Sequence, residues 1–268
     1  TYTIKEEAKR HDLGRTKFGP SGAGIWSSPT IDTLNKRIYI ATGNNFSLPP
    51  TDTSDSIIAL SLNSGEIIWT RQITTKDATN NSCHESGQSN CPIPGAPDHD
   101  FSSSSALIKL QNGQRLLIAG QKSGVVTALD PDDQGKFIWQ KKLFQGGTLG
   151  GIHFGIAVNN DSIFVANSGQ MSLPASSSTP GAQQGIDKIY VLSSRGGGII
   201  GLNTATGEQR WRTEHPGCNN APGCSQAQSA AVTATDDLVF SGGLDGVLRV
   251  YEVDRKSTRL NSSHANIS

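Results

Sequence analysis

The chain of 268 residues is long enough for one large domain or two ordinary ones, and its 23 Lys and Arg residues balance its 23 Asp and Glu residues. This balance leaves no basic field to attract nucleic acid, and apolar runs such as residues 116–119 (LLIA) are far shorter than the roughly 20 residues that span a bilayer. We therefore exclude a dedicated nucleic-acid binder and a membrane-spanning protein. The 30 glycines and the short clusters of β-branched residues favour turns and strands, so the composition predicts an all-β fold.

A repeated pattern runs along the chain, in which a small residue, a leucine and a polar residue precede a glycine turn and a strand that ends in tryptophan. Its copies are residues 59–69 (ALSLNSGEIIW), 128–139 (ALDPDDQGKFIW) and 201–211 (GLNTATGEQRW), with a fourth copy beginning at Val247. Upstream of each copy lies a further strand pair that ends in a glycine turn, at residues 38–43, 116–120, 163–169 and 238–243. The repeating unit therefore has four strands, which is typical of a β-propeller blade.

The spacing of the repeats indicates how many blades the chain holds. The first strands of the units begin near Trp26, Phe101, His153 and Gln228, which are 75, 52 and 75 residues apart. Insertions therefore lengthen a core unit of about 40 to 50 residues, and we expect them to be loops that carry function: residues 45–54, 75–100, 170–187 and 215–226. About three and a half blades are present, whereas a closed ring takes about four to eight, so residues 1–254 are predicted to form a partial β-propeller.

The two ends of the chain depart from this pattern. The opening at Thr1, without Met or an apolar leader segment, predicts an internal N-terminus. Residues 255–268 (RKSTRLNSSHANIS) abandon the repeat where the fourth blade would continue, and they resemble a sequence that recurs at the ends of unrelated reading frames through adaptor read-through. We predict that this segment is a tail that is either non-native or disordered.

The four cysteines fall in two local pairs, Cys83 with Cys91 and Cys218 with Cys224, each inside a segment rich in Gly, Pro and Asn. The seven and five residues between them exceed the two to four that usually separate paired zinc ligands. Two disulfide-closed loops in an oxidising compartment are therefore predicted, with a metal site near the first pair as the alternative. Because His84 directly follows Cys83, without the Cys-x-x-Cys-His spacing, covalent haem is excluded at this segment.

The repeat resembles the tryptophan-docking motif of PQQ (pyrroloquinoline quinone) dehydrogenases and is most complete at Ala128, Asp130, Gly135 and Trp139. In that family eight blades form the propeller, and each motif tryptophan joins neighbouring blades. Further segments resemble the polyvinyl-alcohol dehydrogenase branch: residues 22–32 (GAGIWSSPTID), 41–45 (ATGNN), 98–101 (DHDF), 119–130, 222–233 and 240–246. The resemblance implies part of a periplasmic, PQQ- and calcium-dependent alcohol dehydrogenase, which oxidises an alcohol or polymer substrate and passes electrons to a cytochrome c or haem domain.

The resemblance also implies which residues carry the chemistry. Trp26 matches the tryptophan that stacks on PQQ, and Asn44 matches an asparagine whose amide oxygen binds calcium. Asp100 matches the catalytic base, which also lies at the calcium. Lys122 matches a cation beside the quinone oxygens, and Gln228 stands where many relatives carry a tryptophan at the cofactor edge. From residue type alone, Trp26 fits a core position, and Asn44 and Asp100 fit a turn and a solvated loop.

A non-catalytic propeller scaffold that binds other proteins, as in outer-membrane protein assembly, is the alternative function. Ser61 and Asn203 replace the aspartate of the motif, so the repeat alone does not separate an enzyme from such a scaffold. A scaffold would need none of Trp26, Asn44, Asp100 and Lys122, and their joint presence favours the enzyme. The remaining cofactor ligands of the family belong to blades outside this chain, so we expect the chain alone to bind PQQ weakly and to be inactive.

Overall fold

The computed structural model describes residues 1–4, 10–12, 15–17, 19–84, 90–159, 161–169, 196–219, 224–254 and 258–259. These residues contain four antiparallel four-stranded sheets, which confirms the all-β, partial β-propeller fold predicted from the sequence. The chain divides into two compact units, whose described residues come from 1–104 and from 105–259. No helix in the described ranges is long and apolar enough to cross a membrane.

The first unit contains one blade. A two-stranded sheet that the sequence did not predict precedes it, formed by β1 (Arg10–Asp12) and β2 (Arg15–Lys17). The blade is an antiparallel meander of β3 (Thr30–Asp32), β4 (Arg37–Ala41), β5 (Ser56–Ser61) and β6 (Ile67–Gln72). A short 3-10 helix, η1 (Asn81–His84), follows in the insertion after β6. Strands β4 and β5 are the most buried, so the middle of the blade forms its core.

The second unit contains three further blades, each an antiparallel meander. Their strands are β7 (Ala106–Lys109), β8 (Arg115–Gly120), β9 (Val125–Asp130) and β10 (Lys136–Lys142); β11 (Ala157–Asn159), β12 (Ser162–Ala166), β13 (Ile199–Asn203) and β14 (Gln209–Thr213); and β15 (Thr233–Ala234), β16 (Leu238–Gly242), β17 (Leu248–Glu252) and β18 (Thr258–Arg259). The fourth strand β18 lies in the predicted tail, of which residues 255–257 and 260–268 lie outside the described residues. The predicted insertion 170–187 also lies outside them.

Strand β12 shows how the middle blade of this unit packs on both faces. Ile163 and Val165 belong to one hydrophobic core, while Phe164 and Ala166 belong to a second. Successive side chains of a strand point to opposite faces, so an uninterrupted apolar strand is expected wherever both faces of a sheet are covered. The continuous apolar run in this strand therefore reflects burial between two neighbouring blades.

The glycine turn of the repeat is closed by a polar side chain at its start. Ser61, Asp130 and Asn203 occupy equivalent places, and each side-chain oxygen accepts a backbone N–H two or three residues further on, at 2.8 to 3.2 Å. Each turn ends at a glycine in the left-handed region, at Gly65, Gly135 and Gly207. Ser61 and Asn203 therefore depart from the motif in residue type but keep its hydrogen bonding.

The motif tryptophans of the second unit reach from one blade to the next. Trp139 Nε1 donates to the carbonyl of Thr204 at 3.1 Å, and Trp211 Nε1 donates to the carbonyl of Val253 at 2.9 Å. Gly207 packs so closely on the Trp139 ring that a Cβ there would lie 2.6 Å from Cε3. Both tryptophans therefore join successive blades, as the resemblance implied.

A buried charged cluster lies beside the segment that carries the second cysteine pair. Asp245 accepts from both terminal nitrogens of Arg249, and the Nε2 atom of His215 lies 3.1 Å from Asp245 Oδ2. The other ring nitrogen of His215 accepts the backbone N–H of Gly217 at 3.0 Å. Burial lowers the pKa of His215, and the positive charge of Arg249 lowers it further, whereas the hydrogen bond to Asp245 opposes the shift.

This lowered pKa predicts a loss of stability in mild acid. Unfolded chains take up a proton at the usual histidine pKa of 6.5, which the folded state resists, so below pH 6.5 the unfolded state binds more protons and the free energy of unfolding falls. The slope for one proton is at most about 1.4 kcal/mol per pH unit. Urea denaturation between pH 5 and pH 8 should show this slope in the wild type and a shallower one in His215→Gln. Equal slopes would contradict the assignment to His215.

Candidate active site

A cavity of about 200 Å³ in the first unit brings together three of the predicted site residues. Trp26, Asn44 and Asp100 line it, although they come from segments up to 74 residues apart in the sequence. Gly24, Gly43 and Phe46 complete the described lining. The sequence alone did not assign these last three residues to the site.

Backbone pairing beyond the end of β4 builds one wall of this cavity. Gly43 N donates to the carbonyl of Gly24 at 3.0 Å, and Ala23 N donates to the carbonyl of Asn44 at 2.8 Å. Residues 23–24 therefore run antiparallel to residues 43–44. Because Trp26 follows this pair closely in the sequence, the pairing places Trp26 and Asn44 at the same cavity.

Asp100 is held against the same backbone segment. Its Oδ1 atom accepts the backbone N–H of Asn44 at 2.7 Å, and only 7% of the residue is exposed. The next residue, Phe101, is fully buried, and its N–H donates to the carbonyl of Thr42 at 3.3 Å. The carboxylate is therefore fixed at the cavity wall by backbone contacts on both sides of Gly43.

The amide of Asn44 has a fixed orientation. Its Nδ2 group donates to the carbonyls of Asn45 at 2.9 Å and Thr79 at 2.7 Å. Because both hydrogens are used in this way, the amide oxygen is the atom that remains available to a ligand. Asn44 is 4% exposed, so this orientation is set inside the protein.

The indole of Trp26 offers a flat apolar surface at the cavity. The residue is 48% exposed, whereas the motif tryptophans Trp69 and Trp211 are buried. Such exposure is unusual for a tryptophan side chain. Phe46 is 50% exposed at the same cavity. An aromatic face beside the amide oxygen of Asn44 and the carboxylate of Asp100 suits a planar ligand that carries polar groups.

These residues fit a hard cation together with a planar cofactor. Calcium takes oxygen ligands, and the Asn44 amide and the Asp100 carboxylate both supply them at one cavity. The described residues contain no group of three or more His, Cys, Asp or Glu side chains suited to a metal ion. Asn44 and Asp100 would supply part of the six to eight oxygens that calcium takes, and the remainder would come from the cofactor, water, backbone carbonyls or other residues.

The sequence analysis missed a fully buried carboxylate beside the site, that of Asp77. Its oxygens accept the backbone N–H groups of Asp98 at 3.2 Å and His99 at 2.7 Å, as well as the hydroxyl of Thr79 at 3.2 Å. Burial raises the pKa of Asp77, these hydrogen bonds oppose the shift, and the nearby negative charge of Asp100 adds to it. A lone aspartate in a polar insertion carries no sequence signal that distinguishes this position.

The other two predicted cofactor contacts, Lys122 and Gln228, belong to the second unit. Lys122 is buried in the turn after β8. Gln228 is fully buried: its Oε1 atom accepts the N–H of Gly198, and its Nε2 group donates to Ser241 Oγ at 2.8 Å and Tyr251 Oη at 3.2 Å. Both amide hydrogens of Gln228 therefore bond within the protein, and contact with a cofactor stays a prediction for both residues.

Both predicted disulfides are formed. Cys83 bonds to Cys91 with an S–S distance of 2.00 Å, and Cys218 bonds to Cys224 with an S–S distance of 2.09 Å. With the four thiols oxidised, they are not metal ligands, so the zinc alternative for the first pair is wrong.

Gly43 offers a test of how tightly Asp100 is held. A Cβ at Gly43 would lie 2.5 Å from Asp100 Oδ1 and 3.0 Å from its Cγ atom, so Gly43→Ala must displace this carboxylate. A displacement of about 1 Å at a catalytic group costs about 100-fold in rate. We expect crystal structures to show Asp100 moved in Gly43→Ala and unmoved in Gly24→Ala, because a Cβ at Gly24 meets no atom within 4 Å. An unmoved Asp100 in both variants would contradict the described packing.

The blades, the capped glycine turns and the tryptophans that join one blade to the next define a β-propeller of the PQQ-repeat type. Residues 122–261, slightly more than half of the chain, match the family described as outer membrane protein assembly factor BamB, and the chain belongs to this family.

Individual relatives extend the likeness beyond this segment. Polyvinylalcohol dehydrogenases from Pseudomonas sp and from Sphingopyxis sp. (strain 113P3) are each 32% identical to the chain, over 257 and 258 residues. These matches cover 94% of the chain but 37% of each relative, so the chain spans well under half of their length. The resemblance to polyvinyl-alcohol dehydrogenases predicted from the motifs is therefore confirmed.

A solved structure shows the same fold. The quinohemoprotein alcohol dehydrogenase from Comamonas testosteroni superposes with a TM-score of 0.60 at 18% identity, over 90% of this chain and 41% of that one. At this identity the likeness concerns the fold, and the chemistry of the site has to be argued from its residues.

Proposed function

We propose that the chain is part of a periplasmic, PQQ- and calcium-dependent alcohol dehydrogenase that oxidises the secondary hydroxyls of an alcohol or polymer. The dehydrogenase activity for which the two relatives are named supports the reaction class. The two disulfides support an oxidising compartment. We further propose that residues 1–254 form the propeller part and that residues 255–268 are a non-native or disordered tail, although Thr258 and Arg259 pair with β17 as strand β18.

The single observation that carries this proposal is the meeting of Trp26, Asn44 and Asp100 at one cavity. A flat aromatic face, an amide oxygen and a carboxylate are three different requirements of a quinone alcohol dehydrogenase. Bound PQQ would supply the hydride acceptor. The scaffold alternative gives no reason for these three side chains to face one cavity, so the enzyme is favoured.

Each residue then has a defined part. Trp26 would hold the planar cofactor through its exposed indole face, and Asn44 and Asp100 would supply oxygens to a calcium ion. Lys122 is proposed to lie beside the quinone oxygens, where a positive charge would stabilise a reduced, anionic ligand. Gln228 is proposed at the cofactor edge, although its amide hydrogens are bonded to Ser241 and Tyr251.

Asp100 is the proposed base, which removes the proton of the substrate hydroxyl as the alcohol is oxidised. A base must lie within hydrogen-bond reach of the proton that it takes, and Asp100 lines the cavity that would admit the alcohol. The bond from Asn44 N to its Oδ1 atom holds the carboxylate in place at this cavity. Electrons would then leave to a cytochrome c or haem domain.

The test uses the full-length gene product that contains this chain. We expect it to reduce an artificial dye with a secondary alcohol only after reconstitution with both PQQ and calcium. Omitting either addition should abolish dye reduction. A folded protein that binds no PQQ and reduces no dye would refute the dehydrogenase and favour the protein-binding scaffold.

A further inference from the structure

We infer that Asp77 is a positioning residue that fixes the proposed base Asp100 and the proposed calcium ligand Asn44 in their positions relative to each other. This inference rests on the proposed function for its catalytic meaning, but the geometry that carries it is independent of any cofactor. Asp77 lies outside the cavity lining, and no part of the mechanism above uses it.

The side chain of Asp77 fixes the segment that leads into Asp100. One carboxylate receives the N–H groups of two consecutive residues, Asp98 and His99, immediately before Asp100. Asp98 has a φ of 54°, in the left-handed region that non-glycine residues rarely adopt. The two hydrogen bonds that the buried carboxylate accepts hold this backbone conformation and so set where the chain places Asp100.

The backbone around Asp77 fixes Asn44. Asn45 N donates to the carbonyl of Asp77 at 3.1 Å, and Thr79 N donates to the carbonyl of Asn45 at 2.8 Å. The Thr79 carbonyl in turn accepts from the Asn44 side chain. Residues 77–79 therefore bond both site segments: the Thr79 carbonyl orients Asn44, and the side chain of Asp77 orients the two residues that precede Asp100.

An aspartate is required here because two donors converge on it. An asparagine would present an N–H₂ group to one of the two backbone N–H groups and would leave that donor without its acceptor beside the fully buried side chain of residue 77. The segment before Asp100 would then move to find another acceptor. The Asp77→Asn substitution changes little in volume, so its effect reports hydrogen bonding and charge.

The first measurement needs neither metal nor cofactor. The backbone amide proton of Asn44 donates to Asp100 Oδ1, so its NMR chemical shift reports where that carboxylate lies. In the chain described here we expect Asp77→Asn to shift this signal strongly upfield. The matched control is Asp32→Asn, which alters another buried carboxylate of the same unit, one that bonds Tyr39 and Asn35. The control should leave the Asn44 signal in place.

The second measurement is the affinity of the full-length gene product for terbium(III), a luminescent probe for calcium sites. Residues that orient metal ligands typically contribute about 10- to 100-fold in metal affinity. We expect the terbium dissociation constant to rise by that factor in Asp77→Asn and to change less than twofold in Asp32→Asn. If Asp77→Asn fails to fold, Asp77→Ser replaces it, because the polar space that it leaves admits a water molecule.

The outcomes separate this inference from the proposed function. An unmoved Asn44 signal, or unchanged terbium affinity in a folded Asp77 variant, would overturn the positioning role. If the wild type binds no terbium and needs no PQQ, the proposed function fails, while the Asn44 signal still decides whether Asp77 positions Asp100.

Discussion

Asp100→Asn should abolish most of the alcohol oxidation while leaving the fold intact. The asparagine oxygen still accepts the Asn44 N–H, so the backbone around the cavity has no reason to move. An amide, however, does not take up the hydroxyl proton. General-base catalysis contributes about 10²- to 10⁴-fold, and we expect kcat of the reconstituted full-length protein to fall by that factor.

Two controls make this result interpretable. Asp32→Asn removes a buried carboxylate of the same unit that bonds Tyr39 and Asn35, outside the cavity, and should keep wild-type kcat. Circular dichroism and thermal unfolding should show that both variants are folded. Wild-type turnover in a folded Asp100→Asn variant would remove Asp100 from the role of base.

Trp211→Ala should destabilise the second unit by about 3 to 5 kcal/mol, the usual cost of truncating a buried aromatic residue. The indole is 4% exposed and packs against Phe164 and Tyr251, with ring centroids 5.9 and 6.2 Å away. Its Nε1 atom also donates to the carbonyl of Val253. The substitution therefore removes both the packing and the hydrogen bond that join two successive blades.

Two further variants separate these contributions in urea denaturation. Trp211→Phe keeps an aromatic ring but leaves the Val253 carbonyl without its donor, which we expect to cost about 1 to 3 kcal/mol. Phe137→Ala removes a large side chain that is 45% exposed, and it should cost about 0.5 kcal/mol. If Trp211→Ala cost no more than Phe137→Ala, the tryptophan would not join the blades.

The repetitive part of the fold was predictable because each four-stranded unit repeats the same sequence pattern. The small residue before each motif leucine, Ala59, Ala128 or Gly201, pairs directly with the tryptophan of the next strand, so the pattern records a contact. The sheet of β1 and β2 has no such mark, because residues 10–17 are mostly polar and show no alternation.

The site was predictable only in part, for a physical reason. Asn44 and Asp100 were found through resemblance, since their separation of 56 positions in the sequence hides their contact. Asp77 was missed because its partners are the backbone N–H groups of Asp98 and His99, which every non-proline residue possesses. Gln228 was assigned to the cofactor edge through resemblance, and nothing in the adjacent sequence indicates that Ser241 and Tyr251 bond its amide.

The two motif tryptophans of the second unit donate to a kind of acceptor that limits how strongly sequence divergence can affect the junctions between blades. Trp139 and Trp211 both donate to main-chain carbonyls, those of Thr204 and Val253. A mutation that changes Thr204 or Val253 leaves its carbonyl in place, so the hydrogen bond itself requires a particular residue only on the donor side of each junction. The two acceptor positions can therefore change in sequence while the bonds persist, which agrees with a shared fold at 18% identity.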